Sequence, residues 1–329
     1  MKTLVPLLLA LPLLASAAPP SLKEVARIHI GGEPRWDYLE IDSPGHRLFV
    51  SHGGSTEVID TATGRVVGQI PDTPGVHGIA LAPDLGMGFI SDGKADAVTV
   101  FDLATLKAVA TIPVGGNPDA ILYDPASHHV LAFNGKSHDV SVIDAARRKV
   151  IATTPVGGKP EFAQLGRNAQ VVFNIEDTSE LAVLDAKTGA LVRRQSLAPC
   201  ESPSGLAVDD RLTSYSVCEN KQMVVVDADG KLVGQAPIGS GADGVAWLDG
   251  AAYSANGRDG TISVVRESAS KRLETVETIP TARGARTIVA DPATHRLYLP
   301  TADFLPAAAG ARPAGAPGTF YVLVLEKVR

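Results

Sequence analysis

One triplet, two apolar residues closed by an acid, recurs along the chain at a nearly fixed interval. Val58-Ile59-Asp60, Val100-Phe101-Asp102, Val142-Ile143-Asp144, Val183-Leu184-Asp185 and Val225-Val226-Asp227 place their aspartates 42, 42, 41 and 42 residues apart. Val264-Val265-Arg266 and Val324-Leu325-Glu326 extend the series to seven copies, with the acid changed or displaced. A period of this length, with three or more turn signals inside each unit, encodes four short strands per repeat. In the third unit, Asp119-Ala120-Ile121-Leu122-Tyr123 reads as the innermost strand and His129-Val130-Leu131-Ala132-Phe133 as the second. Val140-Ser141-Val142-Ile143-Asp144 reads as the third strand and Val150-Ile151-Ala152-Thr153-Thr154 as the outermost. β-Branched residues fill the runs, Gly, Pro, Asn and Asp fill the breaks, and helical periodicity is sustained nowhere. Sheets of this kind bury both faces by packing radially on one another, so the expected fold is an all-β, seven-bladed β-propeller of four-stranded antiparallel blades.

The last unit ends one strand short. Val25-Ala26-Arg27-Ile28-His29-Ile30, near the start of the chain, is an outer strand with no partner of its own and fits that gap. Both termini would then share one blade, leaving no free sheet edge at the seam. Residues 18–329 are therefore expected to form a single domain, interrupted by a Pro-, Gly- and Ala-rich insertion at 303–318 in the last blade.

The ends and the totals bear on compartment and partners. Lys2, the apolar run Leu4–Ala15 and the small residues Ala15-Ser16-Ala17 describe a signal peptide over residues 1–17, cleaved after Ala17. No later stretch is long and apolar enough to span a bilayer, so a soluble periplasmic or secreted protein is expected. The two cysteines, Cys200 and Cys218, flank a predicted hairpin turning near Asp209-Asp210, and in an oxidising compartment a disulfide is expected between them. With 30 basic and 36 acidic residues the formal net charge is −6, and only 5% of residues are aromatic. That balance argues against nucleic acid, whose binding needs clustered Lys and Arg or stacking platforms. A monomer is expected.

Units such as Ala110-Thr111-Ile112-Pro113-Val114-Gly115-Gly116-Asn117-Pro118 and Val140-Ser141-Val142-Ile143-Asp144 resemble the YVTN-type repeat proteins, the YncE-like or surface-layer-like propellers, over residues 25 to 329. The Tyr-Val-Thr-Asn signature is degraded here to Phe49-Val50-Ser51-His52, Phe89-Ile90-Ser91-Asp92 and Leu131-Ala132-Phe133-Asn134. The resemblance implies the propeller fold and, for function, a binding role.

Antiparallel order within a blade puts the loop entering the first strand and the loop leaving the second at one end, so a single face collects the candidate functional residues. The residues opening the seven innermost strands are Asp37, His77, Asp119, Glu161, Ser204, Asp243 and Arg286, all expected at the mouth of the central funnel with Arg35 and Trp36 beside them. Carboxylates sharing one channel repel, so they must take up protons, pair with Arg286 or Arg35, or share a cation. His52 and His77 are placed where they could meet between the first two blades; the default reading is hydrogen-bonded surface histidines, and a transition-metal pair is the alternative. Two functions follow. In the first, the funnel of a periplasmic or secreted protein holds a small molecule or a protein partner. In the second, the chain is a lactonase-like hydrolase in which Glu161, Asp243, Asn134 and Asn256 ligate Ca2+ or Mg2+, the cation polarising a carbonyl and activating water. No nucleophile elbow, glycine-rich phosphate loop or Cys-x-x-Cys-His haem signature is present, and catalytic residues cannot be assigned from the sequence. The 303–318 insertion is expected over the funnel, either as a lid that gates the mouth or as an irregular ornament without a role there.

Overall fold

The computed structural model describes residues 21–306 and 313–328, in which the chain forms seven sheets of four antiparallel strands. Blades 1 to 6 run in chain order over residues 39–70, 76–113, 118–155, 160–196, 203–237 and 242–280, each with its strands in sequential order from the axis outward. Blade 7 is built from Val289–Asp291, Arg296–Thr301 and Tyr321–Lys327, and its fourth, outermost strand is Leu22–His29 from the start of the chain. The expected closure is therefore observed, with Arg27 paired to Leu323 and His29 to Tyr321. No helix among the described residues is long and apolar enough to cross a membrane.

Packing follows from the strand patterns. Second strands such as Arg47–His52 and His129–Asn134 are buried along nearly their whole length. The outermost strand Lys149–Pro155 alternates exposed and half-buried residues, as a sheet edge with one wet face does. Seven clusters of buried apolar side chains result, one at each blade interface. The seam is no exception: Ile28, Tyr298, Phe320 and Val322 of blade 7 pack on Leu39, Leu48 and Ile59 of blade 1. Fully burying side chains of this size is worth roughly 1.5–3 kcal/mol each, so the interfaces carry most of the stability.

Cys200 and Cys218 form the expected disulfide, with their Cα atoms 5.4 Å apart. The innermost strand of blade 7 is shorter than its sequence suggests and starts at Val289, because Arg286 and Thr287 turn towards blade 1 and the Thr287 hydroxyl donates to the Asp37 carbonyl at 2.6 Å. The segment 1–17 lies outside the described residues, as do residues 307–312 of the insertion.

Candidate functional site

The innermost strands of blades 2 to 6 all begin with a β-bulge, and the bulge holds the residue that opens the strand. Pairing slips between Val76 and Ile79, Pro118 and Ile121, Pro160 and Ala163, Pro203 and Leu206, and Ala242 and Gly244. His77, Asp119, Glu161, Ser204 and Asp243 are the residues inside those slips. A bulge inserts one extra residue, bends the strand and re-aims a side chain that regular alternation would otherwise fix.

Peptide groups at these strand openings, bulged in blades 2 to 6 and regular in blade 1, are held by polar residues buried in the second strands. Ser51 Oγ accepts from the Asp37 N–H at 2.7 Å, and Ser91 Oγ accepts from the Gly78 N–H at 2.8 Å while donating to the Asp119 carbonyl of the next blade. Asn174 Nδ2 does the same across blades 4 and 5, donating to the carbonyl of Ser204 at 2.9 Å. Sequence reasoning passed over these clamps. Their signal was a small polar residue where an apolar one was due, as in Phe49-Val50-Ser51, Phe89-Ile90-Ser91 and Phe173-Asn174.

At the mouth, the predicted residues join into two linked charge clusters. His77 Nδ1 lies 2.6 Å from Asp37 Oδ2 and 3.7 Å from Asp119 Oδ1. Arg286 then bridges Asp37 and Asp243 at 3.2 and 2.7 Å, donates to the Trp36 carbonyl and sits over the Trp36 ring. On the other side of the axis, Lys159 Nζ is 2.6 Å from Glu161 Oε1 and also holds Glu176. Tyr38 reaches across the channel from blade 1, donating to Glu161 Oε2 at 3.4 Å with its ring edge-on to Phe162, 4.9 Å between centroids. Tyr38 and Phe162 thus plug the channel, and below them lies a separate chamber of about 240 Å³ lined by Glu40, Ile79, Ile121 and Gln164.

Burial governs the ionisation of this ring. It pushes Asp119 and Glu161 up, each helped by a neighbouring carboxylate, while Lys159 and, for Asp119, His77 hold against it. Burial also raises Asp243 against the opposing charge of Arg286, and drives the Tyr38 hydroxyl well above the usual phenol range. Burial disfavours the imidazolium of His77, but the Asp37 bond and the charge of Asp119 outweigh it and raise its pKa. The repulsion expected among the acids is therefore met by Arg286, by Lys159 and by proton uptake. Arg35 takes no part: its guanidinium has no acidic partner among the described residues.

Other predicted residues are placed elsewhere. Ser204 faces the mouth cavity with its hydroxyl directed to the Ala242 carbonyl. Asn134 is fully buried and donates to Asp139 and Ser141 of its own blade, and Asn256 likewise donates to Thr261 and Ser263, so these two amides serve their blades while Glu161 and Asp243 serve the ring. His52 does not meet His77; it bonds Glu57 and the Glu33 carbonyl and stacks on Phe320. Lys159 was missed, although Gly157-Gly158-Lys159-Pro160 departs from Gly115-Gly116-Asn117-Pro118 at that one position.

Beside the ring opens a cavity of about 1170 Å³. Its wall combines Arg35, Arg283, Trp36 and Phe304 with Asp243, Glu176 and Glu219. The described part of the insertion contributes Phe304, Pro313 and Gly315 to this wall: Phe304 bridges Gly315 and stands edge-on to Trp36 at 6.4 Å, and Trp36 in turn stacks on Phe320.

Fold and mouth together define a seven-bladed β-propeller with a plugged channel and a charged cavity at one end. No protein-family profile and no curated protein matches the sequence. Among solved structures the chain is similar to U3-55K, with a TM-score of 0.77, 10% identity and coverage of 91% of this chain and 98% of that one. It is also similar to the RRP9 WD40 repeats, with a TM-score of 0.78, 10% identity and coverage of 92% and 98%. Kuenenia stuttgartiensis hydrazine synthase matches with a TM-score of 0.68, 17% identity and coverage of 81% and 92%. At these identities the likeness is one of fold.

Proposed function

We propose that the chain works outside the cytoplasm, as a YVTN-type binding propeller whose funnel mouth holds a small anionic molecule. One observation carries this reading. Every acid lining the cavity is paired, Asp243 with Arg286, Glu176 with Lys159 and Glu219 with Arg258, whereas Arg35 and Arg283 have no acidic partner among the described residues. The cavity therefore presents two uncommitted guanidinium groups beside the rings of Trp36 and Phe304. A carboxylate or phosphate accepts from such groups in bidentate fashion, and an apolar body packs on the rings. At about 1170 Å³ the cavity lies just above the range of about 300 to 1000 Å³ usual for ligand pockets, so a small molecule fits with room for water beside it. The signal-like segment 1–17 and the disulfide support the compartment, and the insertion whose base lines the cavity supports a lid.

The test is a thermal-shift screen of carboxylates and phosphate esters on the wild-type chain and on an Arg35→Gln, Arg283→Gln double variant. A ligand of the native state raises Tm by mass action, by about 2.7 kcal/mol of stability at a hundredfold excess over its Kd. At least one anion is expected to stabilise the wild type and not the variant. Equal shifts in both proteins, or none with any anion, would remove the reading.

A further inference from the structure

The three-residue cluster at the junction of blades 1, 2 and 3 has a chemistry distinct from the arginine-lined cavity. We propose that Asp37, His77 and Asp119 form a binding site for one divalent first-row transition-metal ion, ligated by two carboxylates and one imidazole. It stands apart from the anion reading, because none of the three side chains lines the large cavity.

The donor atoms of the three side chains all lie within 4.8 Å of one another. A metal bonded at about 2.0–2.2 Å to nitrogen and oxygen holds adjacent donors roughly 3–3.4 Å apart in octahedral or tetrahedral geometry. The observed separations from His77 Nδ1, 2.6 Å to Asp37 Oδ2 and 3.7 Å to Asp119 Oδ1, bracket that value. Small rotations of two side chains would equalise them.

A second observation points to a ligand. Asp119 is only 8% exposed, and its Oδ1, the atom facing His77, has no hydrogen-bond partner. A buried carboxylate oxygen left without a donor is costly, and a cation between it and the imidazole removes that cost. The neighbouring groups leave the three donors free to act: Arg286 takes Asp37 Oδ1 and leaves Oδ2 to the cluster.

Backbone anchoring supplies the rigidity that a metal site needs. His77 and Asp119 each sit inside a bulge, Ser91 joins the two bulges through the Gly78 N–H and the Asp119 carbonyl, and Ser51 holds the Asp37 amide. His77 keeps 28% of its side chain accessible, which gives an ion a path from the mouth. Binding balances simply: the proton that Nδ1 shares with Asp37, and any proton carried by Asp119, leave to solvent, and the nitrogen lone pair and two carboxylates take the cation. The imidazole selects the metal class. Oxygen-only sites suit Ca2+ and Mg2+, whereas a nitrogen donor with two carboxylates suits Mn2+, Fe2+, Co2+ or Zn2+.

The experiment is metal titration of chelator-treated full chain with Zn2+, Mn2+, Co2+ and Ca2+ separately, counting bound metal by elemental analysis after desalting. Wild type is expected to retain one equivalent of a transition ion in preference to Ca2+. Losing a partner of a ligand already costs about 10–100-fold in affinity, so Asp119→Asn and His77→Gln, which remove ligands, should each weaken binding at least about 100-fold. His138→Asn, at an exposed turn outside the cluster, should bind as wild type. Far-UV circular dichroism and Tm confirm that each variant is folded, and Asp119→Asn preserves shape if His77→Gln does not fold. Failure of the wild type to retain metal, wild-type affinity in folded Asp119→Asn, or preference for Ca2+ would overturn the proposal.

Discussion

Ser51 and Ser91 show how far one hydroxyl reaches in this molecule. Each is buried in a second strand and holds a backbone group at the opening of an innermost strand, Ser51 the Asp37 amide of blade 1 and Ser91 the bulged peptides beside His77 and Asp119. Asp92, next in sequence, is a different case. It is 1% exposed, accepts from Thr99 Oγ1 at 2.6 Å through one oxygen and leaves the other unpartnered, and burial pushes its pKa up to about 7. A carboxyl that is easier to protonate in the folded chain than in the unfolded one binds extra protons when native. Its contribution to stability is therefore full below the ordinary Asp pKa near 4 and is lost as pH rises through about 7. Asp92→Asn should match wild type near pH 4 and exceed it near pH 8 by on the order of 2–4 kcal/mol in urea unfolding, while identical curves would show that Asp92 ionises without penalty. At this scale the sequence was partly legible. Aligning strand openings singled out Asp37, His77, Asp119 and Arg286, because each precedes an apolar run. The bond from Tyr38 to Glu161 was not legible, since it joins residues 123 apart across the ring and leaves no local pattern.

Bulges and the closing strand are the elements that turn a repeat into a site. Pairing could be inferred from alternation and turn residues, but the bulges could not, because a one-residue slip at a strand's first position falls within the error of reading its start. The closing strand was readable, since blade 7 was short of one apolar run and the chain start offered one. Leu22–His29 covers the edge of Tyr321–Lys327, and Leu22 and Ile28 are both buried. Removing residues 21–29 should expose that edge and open the seam with blade 1. The expected result is a large loss of thermal stability and concentration-dependent association through the bared strand, read by light scattering; an unaltered monomer with wild-type Tm would contradict the role given to this strand. The disulfide in blade 5 acts on the same level, closing a segment of sequence separation 18, a loop whose restraint is worth about 3 kcal/mol in the chain-entropy model.

For the molecule as a whole, the ring makes chemistry out of positions that mean little alone. Seven strand openings meet at one mouth, Tyr38 and Phe162 stop the channel beneath them, and the insertion in blade 7 walls a cavity with two uncommitted arginines. The ring was legible from the period, whereas the cavity's balance of paired acids and free arginines needed the three-dimensional partners of each. Trp36 reports on that cavity directly, and the other tryptophan, Trp247, stacks on Tyr215 away from it. In a Trp247→Phe background, emission from Trp36 should be followed while titrating the anion that most stabilises the chain. Saturable quenching at one equivalent is predicted, with affinity falling at least about 100-fold when Arg35 and Arg283 are both replaced by Gln, the lower bound for loss of two charge-assisted hydrogen bonds. Stabilisation by that anion with Trp36 emission unmoved, or quenching indifferent to both arginines, would contradict a ligand site at the mouth.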